Sequence, residues 1–372
     1  MARVLILTAS YGSGHNAAAR SLTAAFEQAG AVVTVVDHFR ELVHPTFDRL
    51  SRTLYHWVLR RAPHAWGAGY ALGDRLAPDS PLAFGVPRLG ASRLRRLLDT
   101  LRPDAVVTVH ATPAIAMATL AAEGHRLPPH TTVVTDFVAH RQWMARPIDR
   151  YCVAAHEVKD QLVARGTAPE RIVVTGVPVR PEFEDPVDPV AARVALGLST
   201  RVPVVLVMAG AQGTFGRLPD VASALARVST PFEGVIVAGE DERVGAEVRR
   251  RARGTSIRTL GYVKDIRGLM AAADLLVTKA GGMTLAEALA AELPLVAFAS
   301  LPGQERRNER FASKHGVALI ARSRRELART VERALGDPAL RERLRERMRA
   351  LRRPDASRRI VGLVLEQSVR AR

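Results

Sequence analysis

Hydrophobic positions in this chain gather into short, continuous, mostly β-branched runs, separated by longer stretches with helical periodicity. In the first half the runs cover residues 4–8, 32–36, 105–109, 132–135, 151–154 and 172–175. In the second half they cover 204–208, 234–238, 257–260, 275–278 and 295–299. Continuous rather than alternating runs predict parallel strands buried on both faces by helices. Two such series predict an α/β protein of two doubly wound, Rossmann-like domains facing each other across a cleft. Residues 176–189 carry four prolines, which oppose a helix and mark a linker. The domains are therefore expected over 1–180 and 190–355, with residues 356–372 forming a helix that packs back on the first.

Composition agrees with two cores: 372 residues at 47% apolar are too many for one ordinary core. No run of eighteen apolar residues occurs, so no membrane-spanning helix is expected. The first apolar run leads directly into a glycine loop rather than a cleavage site, which predicts no signal peptide. Cys152 is the single cysteine, which excludes intrachain disulfides and thiolate metal clusters and suits a cytoplasmic protein.

The formal charge is +17, yet only four of the 54 basic residues are lysine, a bias that reflects base composition as much as function. The charge is unevenly placed: 16 Arg against 7 acids over 321–372, and 11 Arg against 5 acids over 40–102. In the second of these stretches Tyr55, Trp57, Trp66 and Tyr70 are interleaved. This pattern predicts contact with an anionic membrane surface rather than with nucleic acid.

Two glycine loops carry the chemistry. Residues 4–8 run into Ser10-Tyr11-Gly12-Ser13-Gly14-His15 and then a helical segment, so Gly12 and Gly14 are expected to form a tight turn with His15 at a helix start. A helix N-terminus disfavours imidazolium, leaving His15 neutral and available as a base. The dinucleotide fingerprint is incomplete there, because Ala17 holds the third glycine's place. The second loop lies in TKAGGMTLAEALAAELPLVAFASLPGQERRNERF, residues 278–311. Its Gly-Gly turn and helix start suit a phosphate. Glu287 suits a pair of vicinal hydroxyls, and Gln304 and Glu305 suit a polyol, so together these residues fit a nucleotide sugar. Plainer readings exist for each. Thr284 and Glu287 form a capping-box pattern, Gln304 and Asn308 suit a helix cap, His110 suits a core histidine, and Asp136 suits a cap. Trp143 is expected to face an acceptor because polar residues precede it. No DxD pair or His/Cys cluster calls for a divalent metal.

With both loops in view, the chain resembles the monogalactosyldiacylglycerol synthase group of glycosyltransferase family 28, which includes processive diacylglycerol glucosyltransferases. The resemblance runs through GSGH at 12–15, VVD at 35–37, PDAVVTVHATP at 103–113, VVTDFVAHRQW at 133–143, DRYCVAAHEVKDQL at 149–162, RIVVTGVPVRPEF at 171–183 and the block at 278–311. It implies a GT-B fold and an inverting, metal-independent transfer of galactose or glucose from a UDP-sugar co-substrate, without a further cofactor, to diacylglycerol at the inner membrane face. It implies donor contacts from Gly261, Tyr262 and Val263 to uracil, Gly281 and Gly282 near the diphosphate, Glu287 to ribose, and Gln304 and Glu305 toward the hexose, with Thr284 and Asn308 also in the donor site. His15 becomes the candidate catalytic base, assisted by Asp136, with Gly12, Gly14, His110, His140 and Trp143 near the acceptor. The alternatives are a UDP-sugar epimerase or hydrolase, a transferase with another lipid or small acceptor, and a basic binding module with a degenerate site. Three departures from the family pattern stand out: Ser13 for a glycine, Glu292-Leu293-Pro294 where a glycine usually precedes the proline, and a glycine-poor loop at 209–216. The last two bear on donor geometry.

Overall fold

The computed structural model describes residues 1–76, 89–146, 148–208 and 217–370. The loop at 209–216 and the last two residues of the expected C-terminal helix lie outside the described residues. The chain divides into two compact units: Met1–Pro181 together with the chain from Arg353 onward, and Glu182–Arg352.

The first unit holds β1 (Arg3–Thr8), β2 (Val32–Asp37), β3 (Ala105–Thr108), β4 (His130–Val133), β5 (Arg150–Val153) and β6 (Ile172–Val174). They form one parallel sheet in the order β2-β1-β3-β4-β5-β6. The second unit holds β7 (Val204–Met208), β8 (Glu233–Val237), β9 (Ile257–Leu260), β10 (Leu275–Thr278), β11 (Leu295–Phe298) and β12 (Ala318–Ala321). Its order is β12-β11-β10-β7-β8-β9, again parallel. The cores are the aliphatic runs of these strands and the helices on them, such as Leu5, Leu7, Val106 and Met117 in the first unit and Val205, Val207, Val277 and Phe298 in the second.

Strand order fixes where a ligand can bind. In the first sheet the chain leaves β1 for β2 on one side and returns to β3 on the other. In the second it leaves β7 for β8 and returns to β10. A crevice opens beyond the carboxyl ends of the two strands flanking each reversal, and open α/β sheets bind ligands there. The register sets Leu7 beside Thr108 and Met208 beside Thr278, so the loops leaving those strands are neighbours.

Three sequence expectations change. β4 begins at His130, two residues before the apolar run, where the buried His130 Nε2 lies 3.0 Å from the Thr108 hydroxyl across the sheet. β12 was not expected, since its Ala-Leu-Ile-Ala run has weak strand propensity. The proline-rich stretch is not wholly a linker. Pro181–Phe183 makes one 3₁₀ turn and Phe183 is buried, with the Arg267 guanidinium 5.2 Å from its ring.

The C-terminal helix, Ala356–Arg370, packs beside α1 (Ser13–Gln28). The Ser357 hydroxyl donates to the Val179 carbonyl at 2.6 Å, and Arg150 donates to the Leu363 carbonyl at 2.6 Å. Gly176 makes this return path feasible: its φ is +94°, and a Cβ there would stand 2.6 Å from Arg353 Cβ and 3.1 Å from Ala356 Cβ. Gly176→Ala therefore carries both left-handed backbone strain and a collision with the Arg353 and Ala356 Cβ atoms. It is expected to cost roughly 2–4 kcal/mol in urea unfolding, whereas Gly30→Ala, with the same backbone sign but open space, costs only about 1 kcal/mol.

Candidate functional site

The loop leaving β1 is built by polar side chains more than by its glycines. Gly12 is extended at φ −158°, a conformation any residue adopts, and Gly14 lies inside α1, so the expected glycine-dependent turn is not what forms. Instead the Ser10 hydroxyl donates to Asp37, Asn16 Nδ2 donates to Ser10 at 2.9 Å, and the Thr8 hydroxyl donates to Asn16 Oδ1 at 3.0 Å. Asp37 also accepts the Phe39 and Arg40 N–H groups at 3.1 and 3.0 Å, capping a π-helical turn over His38–Val43. Ser10, Asn16 and Asp37 were missed as site-building residues. The signal for them was their position, polar residues at the ends of two neighbouring apolar runs.

This network delivers His15 to the reversal point of the first sheet, in the first turn of α1. Its Nδ1 lies 2.8 Å from the Val109 carbonyl and 3.1 Å from the Thr135 hydroxyl. A carbonyl only accepts, so Nδ1 carries the proton and Nε2 keeps its lone pair. Nε2 has no hydrogen-bond partner among the described residues. Burial pushes His15 down from 6.5 to about 4, against the opposing Val109 bond, and the positive end of α1 acts in the same direction as burial.

His110, at the end of β3, is the second histidine at this point. It caps the helix Ala111–Ala122, its Nδ1 accepting the Thr112 N–H at 3.0 Å. Both plain and functional readings of His110 thus hold a part: it is a cap, and its ring meets that of His15 edge-on, centroids 4.5 Å apart. Its pKa lies well below the ordinary value, first through burial and then through His15 and His38.

Trp143 and His140 depart from expectation. Trp143 is buried, 5% exposed, with its ring 6.2 Å from His15 and 6.4 Å from His110. It backs the histidines instead of presenting an open face. His140 is also buried. Its Nε2 donates to the Tyr70 carbonyl at 3.0 Å and its Nδ1 accepts the Gln142 N–H at 3.2 Å. Through these two bonds His140 ties α3 (Pro63–Gly73) to the 3₁₀ turn Arg141–Trp143. The polar run 140–142 that suggested an acceptor face is this cap. Asp136 follows Thr135 beyond β4, half-buried, and no helix begins there for it to cap.

In the second unit β10 ends at Thr278, whose hydroxyl donates to the Met208 carbonyl at 3.0 Å across the reversal point. The helix Gly282–Ala290 follows, capped by the backbone of Gly281 with no side-chain acceptor, unlike the Asp-capped helix Glu242–Arg251. Among the described residues, a Cβ on Gly281 would meet nothing within 4 Å. A helix start of this kind, without a side-chain cap, suits an anion. Thr284 sits inside the helix, so the capping-box reading fails. Gly281, Thr284 and Glu287 are half-buried while the residues between them are buried, which puts these three on one accessible stripe.

Gln304 begins the helix Gln304–Lys314 behind Gly303, whose φ of +102° and ψ of −132° require glycine. Neither Gln304 nor Asn308 is its cap. Asn308 is fully buried and donates to the Ala280 carbonyl at 3.2 Å, while the Ala280 N–H donates to Ser300 at 3.2 Å. Glu305 is buried, paired with Lys279 at 2.7 Å and accepting the Leu301 N–H at 2.8 Å. Asn308 and Glu305 thus hold the loop before the Gly282–Ala290 helix through Ala280, Lys279 and Leu301, while Gln304 is half-buried. Gly261, Tyr262 and Val263 leave β9 at the same carboxyl edge, Tyr262 being exposed. From β10 to β9 is three strand spacings, ~14 Å, enough for an extended nucleoside diphosphate. The Glu292 departure lies at the opposite, amino edge, before β11. Glu292 takes φ +52° itself, held by Arg349 and Arg352 at 2.7 Å each, and does not touch the site. The departure at 209–216 lies outside the described residues.

Comparison with known proteins agrees with this layout. The family described as monogalactosyldiacylglycerol (MGDG) synthase matches residues 15–179, and glycosyl transferases group 1 matches residues 203–337. A processive diacylglycerol β-glucosyltransferase of Bacillus cytotoxicus is 31% identical over 369 residues, covering 98% of this chain and 94% of that protein. The relative of the same description in Bacillus cereus gives the same identity and coverage. Among solved structures, MurG of Acinetobacter baumannii superposes with a TM-score of 0.66 at 17% identity, covering 98% of this chain and 100% of MurG. The calicheamicin glycosyltransferase CalG4 gives 0.63 at 17%, covering 100% and 99%. These likenesses show a two-domain GT-B fold. With that fold, and with nearly a third of its residues shared along almost the whole length, the chain belongs to the monogalactosyldiacylglycerol synthase and diacylglycerol glucosyltransferase group and is a hexosyltransferase.

Proposed function

We propose that this enzyme moves a hexose from a UDP-sugar to diacylglycerol at a membrane surface, with inversion at the anomeric carbon. The observation that carries the reading is the fixed tautomer of His15. Nε2 takes the proton of the acceptor hydroxyl as its oxygen bonds to the anomeric carbon. The bond from that carbon to the diphosphate oxygen breaks, and UDP leaves with the electron pair. The uncapped helix start at Gly281–Gly282 receives the leaving diphosphate, Glu287 the ribose and Gln304 the hexose. Asp136, beside Thr135, supports His15 from the end of β4. No further cofactor enters the scheme.

A value near 4 is low for a base working near neutrality. The negative donor diphosphate offsets this, because a nearby anion favours the imidazolium.

The membrane reading rests on α2 (Pro45–Arg61) and α3. Leu50, Leu54 and Trp57 form one stripe on α2, exposed by 74%, 60% and 58%, with the exposed Arg49, Arg60 and Arg61 beside it. α3 holds no acidic, Lys or Arg residue, yet none of its residues is buried. An apolar stripe flanked by arginines suits an anionic bilayer interface. Among the described residues no helix is long and apolar enough to cross a membrane.

Each part of the scheme has an expected outcome. Incubation with UDP-glucose or UDP-galactose and diacylglycerol vesicles yields a hexosyl lipid by mass spectrometry. His15→Ala lowers kcat by about 10²–10⁴-fold, and the donor is unchanged when acceptor is omitted; conversion of donor alone marks an epimerase or hydrolase instead. In pH profiles, the acid limb of kcat/KM falls near pH 4, while that of kcat, reporting the donor-bound state, lies higher. Because His15 and His38 are held neutral by burial at about 4, below their unfolded value, the stability they contribute is complete above pH 6.5 and lost as pH falls toward 4. Leu54→Asp with Trp57→Asp weakens sedimentation with phosphatidylglycerol vesicles by at least about tenfold, with Tm unchanged.

A further inference from the structure

His110 and His140 both cap a short helical segment through Nδ1, yet they differ at the other ring nitrogen. In His140 that nitrogen donates to the Tyr70 carbonyl. In His110, where Nδ1 accepts the Thr112 N–H, the proton must sit on Nε2, and that N–H has no hydrogen-bond partner among the described residues. The His110 residue is half-buried. Asn, Asp or Ser would cap this helix as well, so capping alone does not explain a histidine here.

The neighbouring ring explains more. His15 and His110 stand edge to face at 4.5 Å with opposite tautomers. His15 offers a lone pair at Nε2, and His110 offers a proton at Nε2. Each tautomer is locked by a backbone group, the Val109 carbonyl for one and the Thr112 N–H for the other. The two neighbouring rings therefore hold one acceptor nitrogen and one donor nitrogen, with ring centroids 4.5 Å apart. Such a pair recognises a molecule that carries a hydroxyl with a second oxygen acceptor one or two carbons away. The hydroxyl donates to His15, and the neighbouring oxygen accepts from His110.

Resting on the acceptor reading proposed above, we infer that His110 is an acceptor-positioning residue: its Nε2–H donates to the ester carbonyl oxygen beside the free hydroxyl of diacylglycerol and so seats that hydroxyl on His15. No bond is made or broken at His110. It selects for an acceptor with an oxygen next to the reacting hydroxyl and against a plain long-chain alcohol.

His110→Asn tests this in the full chain, because asparagine keeps the helix cap and loses the distal N–H. Kinetics are compared on dioleoylglycerol and on oleyl alcohol, each in the same mixed micelles. The variant is expected to retain the wild-type Tm and its thermal shift with UDP. Its kcat/KM should fall about tenfold on dioleoylglycerol, the effect of one lost neutral hydrogen bond, and by less than twofold on oleyl alcohol. Equal losses on both acceptors, or none on either, overturn the inference while leaving the wild-type activity and the function reading intact. A wild-type enzyme that does not glycosylate dioleoylglycerol sinks both. Independently of any variant, ¹⁵N shifts of the wild-type histidines should show the proton of His110 on Nε2 and that of His15 on Nδ1; the reverse at His110 overturns the inference.

Discussion

The Val109 carbonyl, 2.8 Å from His15 Nδ1, can only accept a hydrogen bond, and most of the first unit's site follows from that one polarity. It assigns the proton to Nδ1, frees Nε2, and ties the first turn of α1 to the residue that follows β3. Because β1 and β3 are neighbours in the sheet, the bond bridges the reversal point itself. The Thr8–Asn16–Ser10–Asp37 network holds the other side of the loop, so His15 is constrained both from its own strand and from across the crevice. A histidine held this way loses little freedom when an acceptor arrives, and that is the condition for efficient proton transfer.

The second unit solves the complementary problem with backbone instead of side chains. A diphosphate needs unpaired N–H groups at fixed positions, and a glycine-capped helix supplies them only if the preceding loop cannot drift. Ala280 is gripped at both ends, its N–H by Ser300 and its carbonyl by Asn308, while the Lys279–Glu305 pair ties the same loop to the next helix start. These residues come from the segment after β11, where Ala299 turns through φ +56° to bring Ser300 into place. Asn308 and Glu305 thus fix the loop from which the Gly282–Ala290 helix starts.

The two folds were readable in the sequence because parallel strands covered on both faces leave uninterrupted apolar runs, and eleven of these were in place. β12 escaped because alanines at both ends hide a strand. Residue roles were harder to read, since sequence gives the residue type and its neighbours along the chain but not the partner across it. His140 and His110 each follow an apolar strand, and both are helix caps. Only the Tyr70 carbonyl against the first and the His15 ring beside the second tell them apart. Trp143 looked accessible because polar residues precede it, yet those residues fold into the cap that buries it. Glu292 looked like a change near the donor, but strand direction places it at the far edge of the sheet.

The apolar helices α2 and α3 acquire a reason from the same loop. Tyr11 stands between Ser10 and Gly12; its hydroxyl donates to Ser51 on α2, and its ring meets Tyr55, which meets Trp66 on α3 at 5.0 Å. An unbroken line of aromatic contacts thus runs from the His15 loop to the helices whose apolar residues stay uncovered. Leaving leucines and a tryptophan in water forgoes about 1.5–3 kcal/mol each relative to burial, a loss a folded chain avoids unless another surface covers them. On the proposed function, an acceptor with two acyl chains stays in its bilayer, and the loop that holds His15 is brought to it. The aromatic line would then join the surface that enters the interface to the loop that holds His15.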